Sequence, residues 1–348
     1  MTIFDPLLDF FRGRAVTVPP LDGAFRPNRA LDNARLVAEI NAPVDMAFRN
    51  GAIVAAAGNA LFELLENGAQ GVVATFSAPI AAMAISSAGE LAVACENGEL
   101  VLDGAAVKLP PEVTCMTALS FAADGSMLVA NGAAGLRPSQ WRTDLMKKGA
   151  SGSVWRLSRK GDATCLAAGL AWPSGILAAG SDVMVSEAWN RRILRVSDGL
   201  KPAAVFSNIP GYPGRLAQAE SGALLSIFAP VNRLIEFVLQ EDDYRAAMME
   251  EIPAEYWIAP SLASGRSFLE PLQCGGIKTM GIHKPWAPSR SYGLIVRLDG
   301  DFQPVESFHS RADGHRHGIV AARALGDTIY AASAGGDAIV AIESGQDS

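Results

Sequence analysis

Five side chains with chemical potential open or closely precede short apolar runs in this 348-residue chain: Asp45, Thr117, Ser174, Arg215 and His317. Arg215 carries a planar fork of donors that suits a carboxylate or phosphate. His317 titrates near neutral pH and suits a general base. Ser174 could hydrogen-bond a substrate or act as a nucleophile, and Asp45 and Thr117 could contribute to substrate binding. Each also has a structural role open to it. Ser174 can satisfy an amide at a strand start, Arg215 can pair with Asp45 as a plug, and His317 can be a hydrogen-bonded core residue. Two further groups read as structural. Glu187 and Trp189 follow an apolar strand and close its turn, and His309, Arg311, Asp313, His315 and His317 alternate with Gly and Arg like a solvated loop entering a strand, not a zinc site. No glycine-rich phosphate loop joins a strand to a helix.

The elements that must position these residues form a repeat. A glycine followed by an apolar run ending in small residues recurs at Gly51, Gly89, Gly125, Gly180, Gly222 and Gly326. A further strand-like run follows most copies, as in Leu61–Leu64, Val154–Leu157, Arg192–Val196, Leu294–Leu298 and Ala338–Ile342, and several alternate apolar and polar residues. A unit of roughly 40 residues with several short strands is the size of a propeller blade. Six copies predict an all-β fold, a six-bladed β-propeller spanning 34–348, preceded by an extension or lid over 1–33. The spare strand Arg35–Ile40 is expected to complete the last blade from outside and so remove an open edge. Residues 131–150 read as a long loop. Residues 230–291 read as a helical insertion between blades 5 and 6, with Leu234, Ile235, Val238, Leu239 and Met248 on one face and Asp242, Asp243 and Arg245 on the other. Insertions on one face of a repeat fold often build its binding face. Leu7, Leu8, Phe10 and Phe11 could form a lid helix, and His283, Lys284, Pro285 and Trp286 could sit over the channel mouth or pack on the surface.

Several stretches, in order, resemble the strictosidine synthase-like family of the gluconolactonase/paraoxonase superfamily. They are Pro20–Asn28, Leu170–Ile176, Val185–Arg195, Ile209–Arg215, Ser291–Ile295 and His309–Gly318. The resemblance implies a ligand site at one end of a central channel. In the lactonases and esterases of that superfamily it also implies a channel cation, usually calcium, held by carboxylate and Asn side chains. The chain departs from that pattern. Where the resemblance implies an Asn it has Pro173-Ser174-Gly175, and where two more ligands belong it has Gly211-Tyr212-Pro213-Gly214-Arg215. A guanidinium beside a dication is strongly unfavourable, so no channel metal and no other cofactor is expected. The stretch His317-Gly318-Ile319-Val320 lacks the glutamate implied for amine–aldehyde condensation, so that reaction is not supported. The function expected is a small-molecule enzyme, most concretely an atypical hydrolase of a small ester or lactone. The alternative is a non-catalytic propeller that binds a small molecule or a protein.

Composition narrows the classes. Apolar residues make up 49% and charged residues 19%, enough for a large core, and 34 glycines and 20 prolines suit a turn-rich fold. A net charge of −7 argues against nucleic acid as a partner. Asp5 and Asp9 disfavour contact with an anionic membrane surface. The N-terminal stretch lacks a basic segment followed by an apolar run, and no uncharged run reaches membrane-spanning length. The four cysteines, Cys95, Cys115, Cys165 and Cys274, lie far apart and read as reduced, mostly buried thiols. A cytoplasmic protein with a small-molecule ligand, anionic where Arg215 binds it, is therefore expected.

Overall fold

The computed structural model describes residues 18–65, 70–271 and 290–343, together with the backbone of 278–279 and 282–283. Six four-stranded antiparallel sheets form the blades. Their innermost strands are, in chain order, Pro43–Arg49, Ile80–Ile85, Met116–Phe121, Pro173–Ala179, Gly211–Ala219 and Ile319–Leu325. All six repeat glycines have positive φ, from 56° to 125°. They lie at the hairpin between the first and second strands of each blade, where the turn needs a left-handed residue and glycine adopts it without strain. The repeat in the sequence is thus a repeat of turn chemistry.

The ring closes as expected. Arg35–Glu39 pairs antiparallel with Ala338–Glu343 as the outer strand of the sixth blade. Residues 18–34 run along the outer edge of the fifth blade, where the Asn28 side chain donates to Ser307 O and accepts from His309 N. Small residues let the blades pack closely. Ala55, Ala56, Ala82, Ala94, Ala130, Ala321 and Ala332 are all buried, in clusters with Val, Ile, Leu and Met between neighbouring sheets. Gly175 shows how close the approach is: a Cβ at this position would lie 2.3 Å from Gly214 O of the next blade.

Two insertions rise from one end of the ring. Residues 131–150 are not a plain loop, because a 3-10 turn at Pro138–Gln140 runs into a short helix, Trp141–Met146. Pro138 opens the turn, and Leu145 and Met146 bury an apolar face that the surrounding polar and basic residues concealed in the sequence. The helical insertion begins after the second strand of the fifth blade and holds, among the described residues, two α-helices, Arg233–Gln240 and Asp242–Glu251. Asn232 caps the first by accepting from Leu234 N at 2.8 Å. Ile235, Val238 and Met248 are buried against Trp257 and Ala259, with Leu239 packed beside them. The Leu7–Phe11 segment, Cys274 and Lys284–Trp286 fall outside the described residues, as does the side chain of His283. Among the described residues no helix is long and apolar enough to cross a membrane. Cys95 and Cys115 are buried free thiols, whereas Cys165 is exposed.

Candidate functional site at the channel mouth

Each innermost strand is irregular near its start. The register slips at Val44, Ala81, Thr117, Ser174 and Val320, and in the fifth blade over both Gly214 and Arg215. Such β-bulges leave a residue unpaired and redirect its side chain. All seven of these residues line one cavity of about 300 Å³ at the insertion end of the channel. The double bulge in the fifth blade gives Arg215 the reach to cross the axis.

Arg215 joins four blades. Its Nη1 donates to Val320 O at 3.2 Å in the sixth blade, and its Nη2 donates to Ala81 O at 2.6 Å in the second. Its Nε lies 2.8 Å from Asp45 Oδ2 in the first. That contact is an ion pair and not an aligned hydrogen bond, since the Nε–H finds no acceptor in line. A guanidinium has five N–H groups, so one on each Nη has no protein acceptor among the described residues. The side chain is 11% exposed and borders the cavity.

Asp45 is buried and saturated. Its Oδ1 accepts from Met46 N and from Arg323 Nη2, and its Oδ2 accepts from Met83 N and faces Arg215. Burial pulls the Arg323 guanidinium below its ordinary value, with Asp45 opposing and Arg215 adding to the shift. One carboxylate thus serves two partly buried guanidinium groups, Arg215 and Arg323, while a second carboxylate, Glu96, stands at the rim of the same cavity. The pairing of Arg215 with Asp45 as a plug, open as an alternative in the sequence, is what the structure contains.

The hydroxyls of Thr117 and Ser174 tie neighbouring blades. Thr117 Oγ1 donates to Pro173 O and Ser174 Oγ donates to Pro213 O, each at 2.5 Å. Ser174 borders the cavity, but neither a histidine nor a carboxylate accepts its proton; its other neighbour is Ser186 Oγ at 3.2 Å. His317 is turned elsewhere. It is buried, with Nδ1 2.8 Å from Ser291 Oγ and Nε2 2.7 Å from Arg311 O. A carbonyl only accepts, which places a hydrogen on Nε2. His317 is therefore not brought together with Ser174 and Arg215, because its partners on the neighbouring loops aim both ring nitrogens into protein. His309, expected in a solvated loop, is instead buried on the strand Pro304–Ser310 between Ser307 and Tyr292. Among the described residues no three metal-binding side chains gather. Glu187 accepts from Ala171 N and pairs with Arg192, the turn-closing role expected of it.

Other cavity residues were not singled out from sequence. Trp141 comes from the short helix, Trp172 precedes the fourth blade, Phe228 ends a strand of the fifth, and Leu262 comes from the large insertion. Trp141 packs edge-on against Phe228 with centroids 5.5 Å apart, and Trp172 stacks on Trp189 at 5.5 Å. Trp172 has φ +57°, a strained conformation for a bulky residue, worth about 1–3 kcal/mol. It is held by its stack and by Ala188 N donating to Trp172 O. Arg142 caps Trp141 5.0 Å from the ring centroid and donates to Pro260 O, so the insertion is strapped to the cavity wall. Glu96 stands at the rim and accepts from Ser139 N and Oγ. A larger groove of about 950 Å³ lies outside the ring along residues 23–34, lined by Arg26, Arg29, Arg297 and Arg311, of which Arg29 pairs with Asp313 and Arg297 with Glu306.

The calcium implied by the sequence resemblance does not fit these residues. Both oxygens of Asp45 are occupied, the Ala81 and Val320 carbonyls are bonded to Arg215, and a dication about 4 Å from a guanidinium would meet roughly 8 kcal/mol of repulsion at an effective dielectric of about 20.

Fold and site together define a six-bladed β-propeller whose channel is closed by a guanidinium below an aromatic-walled cavity. No protein-family model matches the sequence, and no curated protein matches it. Solved structures share the fold. A gluconolactonase from Xanthomonas campestris is 13% identical, over 94% of this chain and 99% of that one, with a TM-score of 0.57. A calcium-binding protein, regucalcin, from Agrobacterium tumefaciens is 13% identical over 89% and 92%, with a TM-score of 0.56. A putative gluconolactonase is 12% identical over 89% and 91%, with a TM-score of 0.52. The chain thus shares its fold with gluconolactonase- and regucalcin-like propellers.

Proposed function

We propose that this strictosidine synthase-like propeller binds a small ligand with an apolar or aromatic body and an anionic end, without a channel metal. One observation carries the reading: Arg215, whose two Nη atoms each keep one N–H without an acceptor among the described residues, borders a cavity walled by Trp141, Trp172 and Phe228. The forked donors of Arg215 suit a carboxylate, sulfonate or phosphate. The buried free thiols Cys95 and Cys115 agree with the cytoplasmic location expected from the sequence. The test is calorimetric titration with 8-anilinonaphthalene-1-sulfonate and with N-phenyl-1-naphthylamine, which has the same aromatic body without the sulfonate. The sulfonate is expected to bind at least tenfold more tightly to the wild type, and the two to converge in Arg215→Met. Equal affinity for both probes in the wild type would sink the reading.

A second reading, hydrolysis of a small ester or lactone, is favoured by Glu96 and Arg215 bordering one cavity and by the gluconolactonase fold. Arg215 would polarise the carbonyl while Glu96 takes a proton from the attacking water. The carbon–oxygen bond to the leaving alkoxide then breaks, and Glu96 returns the proton to it. Ser174 and His317 have no part in that scheme. Turnover on a lactone and aryl-ester panel, unchanged by chelator and lost in Glu96→Gln, would support it; no turnover by the wild type leaves the binding reading alone.

A further inference from the structure

We infer that Arg215 is a tethered cation which takes the place of a channel metal, and that the oxygens around it form a site for a small planar cation rather than for a spherical one. The inference goes beyond the ligand reading and does not depend on it, since it rests on the contacts Arg215 makes with protein. Three oxygens surround the guanidinium: Asp45 Oδ2, Ala81 O and Val320 O, from three different blades. A carboxylate with backbone carbonyls is the donor set of a hard cation. Here each donor meets a different nitrogen of one flat group. The remaining coordination of Asp45 is taken by Met46 N, Met83 N and Arg323, so neither of its oxygens is left for a metal ion. Arg323 adds a second fixed positive charge, which a monocation tolerates far better than a dication. A metal binds and leaves with its concentration; a side chain is always present. The channel of this protein is therefore braced in every metal state of its surroundings.

The experiment follows thermal unfolding of the full-length wild type and of Arg215→Ala, with calcium chloride, chelator, guanidinium chloride at low millimolar concentration, or sodium chloride at matched ionic strength. The wild-type midpoint is expected to ignore calcium and chelator. Arg215→Ala is expected to unfold roughly 5 °C lower, to regain at least half of that loss with guanidinium, and to regain none with calcium or sodium. Should Arg215→Ala not fold, Arg215→Lys serves in its place. It keeps the charge without the fork, and is expected to have a lowered midpoint that guanidinium does not restore. Three results would overturn the inference: stoichiometric calcium raising the wild-type midpoint, calcium restoring Arg215→Ala as well as guanidinium does, or Arg215→Lys matching the wild type. None of these bears on the sulfonate titration, so the two ideas fail separately.

Discussion

Replacing Asp45 by alanine tests the channel brace from its other side. The carboxylate meets four groups: Met46 N at 2.9 Å, Met83 N at 3.0 Å, Arg215 Nε at 2.8 Å and Arg323 Nη2 at 3.3 Å. Asp45 is 1% exposed, so water cannot replace it. Its removal leaves two partly buried guanidinium groups without their shared carboxylate and two buried amides without acceptors. Breaking a buried ion pair by deleting one partner costs about 3–5 kcal/mol, and each orphaned amide adds about 1–3 kcal/mol before relaxation. Because these terms overlap, a net loss of about 4–6 kcal/mol is expected. With an unfolding entropy of about 2.1 cal/mol/K per residue, a chain of this length loses roughly 1.4 °C per kcal/mol, which puts the midpoint about 6–8 °C lower. Differential scanning calorimetry reads this directly. A double-mutant cycle of Asp45→Asn with Arg215→Met should give a coupling of about 1–3 kcal/mol. An Asp45→Ala midpoint within about 1 °C of the wild type would refute the reasoning, since it would mean that the channel carboxylate and its cations are solvated.

Three other outcomes follow from the same geometry. Ser174→Ala loses the hydroxyl that reaches Pro213 O and should cost about 1 kcal/mol in urea unfolding, while leaving any esterase activity intact; loss of that activity would restore Ser174 as a nucleophile. Gly175→Ala would place a methyl group 2.3 Å from Gly214 O and should cost about 2–3 kcal/mol by the same assay. His309 is held neutral by burial, with Arg311 adding to the effect, its pKa pulled down to about 4. Its folded value lies below its unfolded value, so the unfolded chain binds the extra proton between about pH 6.5 and pH 4, and stability falls as pH drops through that window. At pH 5 the loss from this residue is about 2 kcal/mol relative to pH 7, and His309→Gln should flatten that part of the stability–pH curve.

The fold was legible because its signals are local. Each repeat glycine reports a left-handed turn that its own hairpin requires, and the run Arg35–Ile40 was a strand with no blade of its own. That Arg215 stands where the resemblance implies cation ligands was readable from the sequence, whereas its pairing with Asp45 stayed open there and is seen only in the structure. The cavity wall was not legible. Trp141, Trp172, Phe228 and Leu262 come from four separate segments of the chain, and nothing in their spacing says that they converge. The helix Trp141–Met146 is six residues long, too short for its periodicity to show. His317 misled in the opposite way. It stands at a strand start like the others, but long-range partners, Ser291 and Arg311, set the direction of its ring.

The central claim is that an anion sits on Arg215 beneath the aromatic wall. A crystal of the protein soaked with 8-anilinonaphthalene-1-sulfonate tests it most directly. The account predicts sulfonate oxygens within hydrogen-bond distance of Arg215 Nη1 and Nη2, with the rings against Trp141, Trp172 and Phe228. Density for the probe in the groove along residues 23–34 or on the exposed Phe268, with the channel mouth empty, would contradict it.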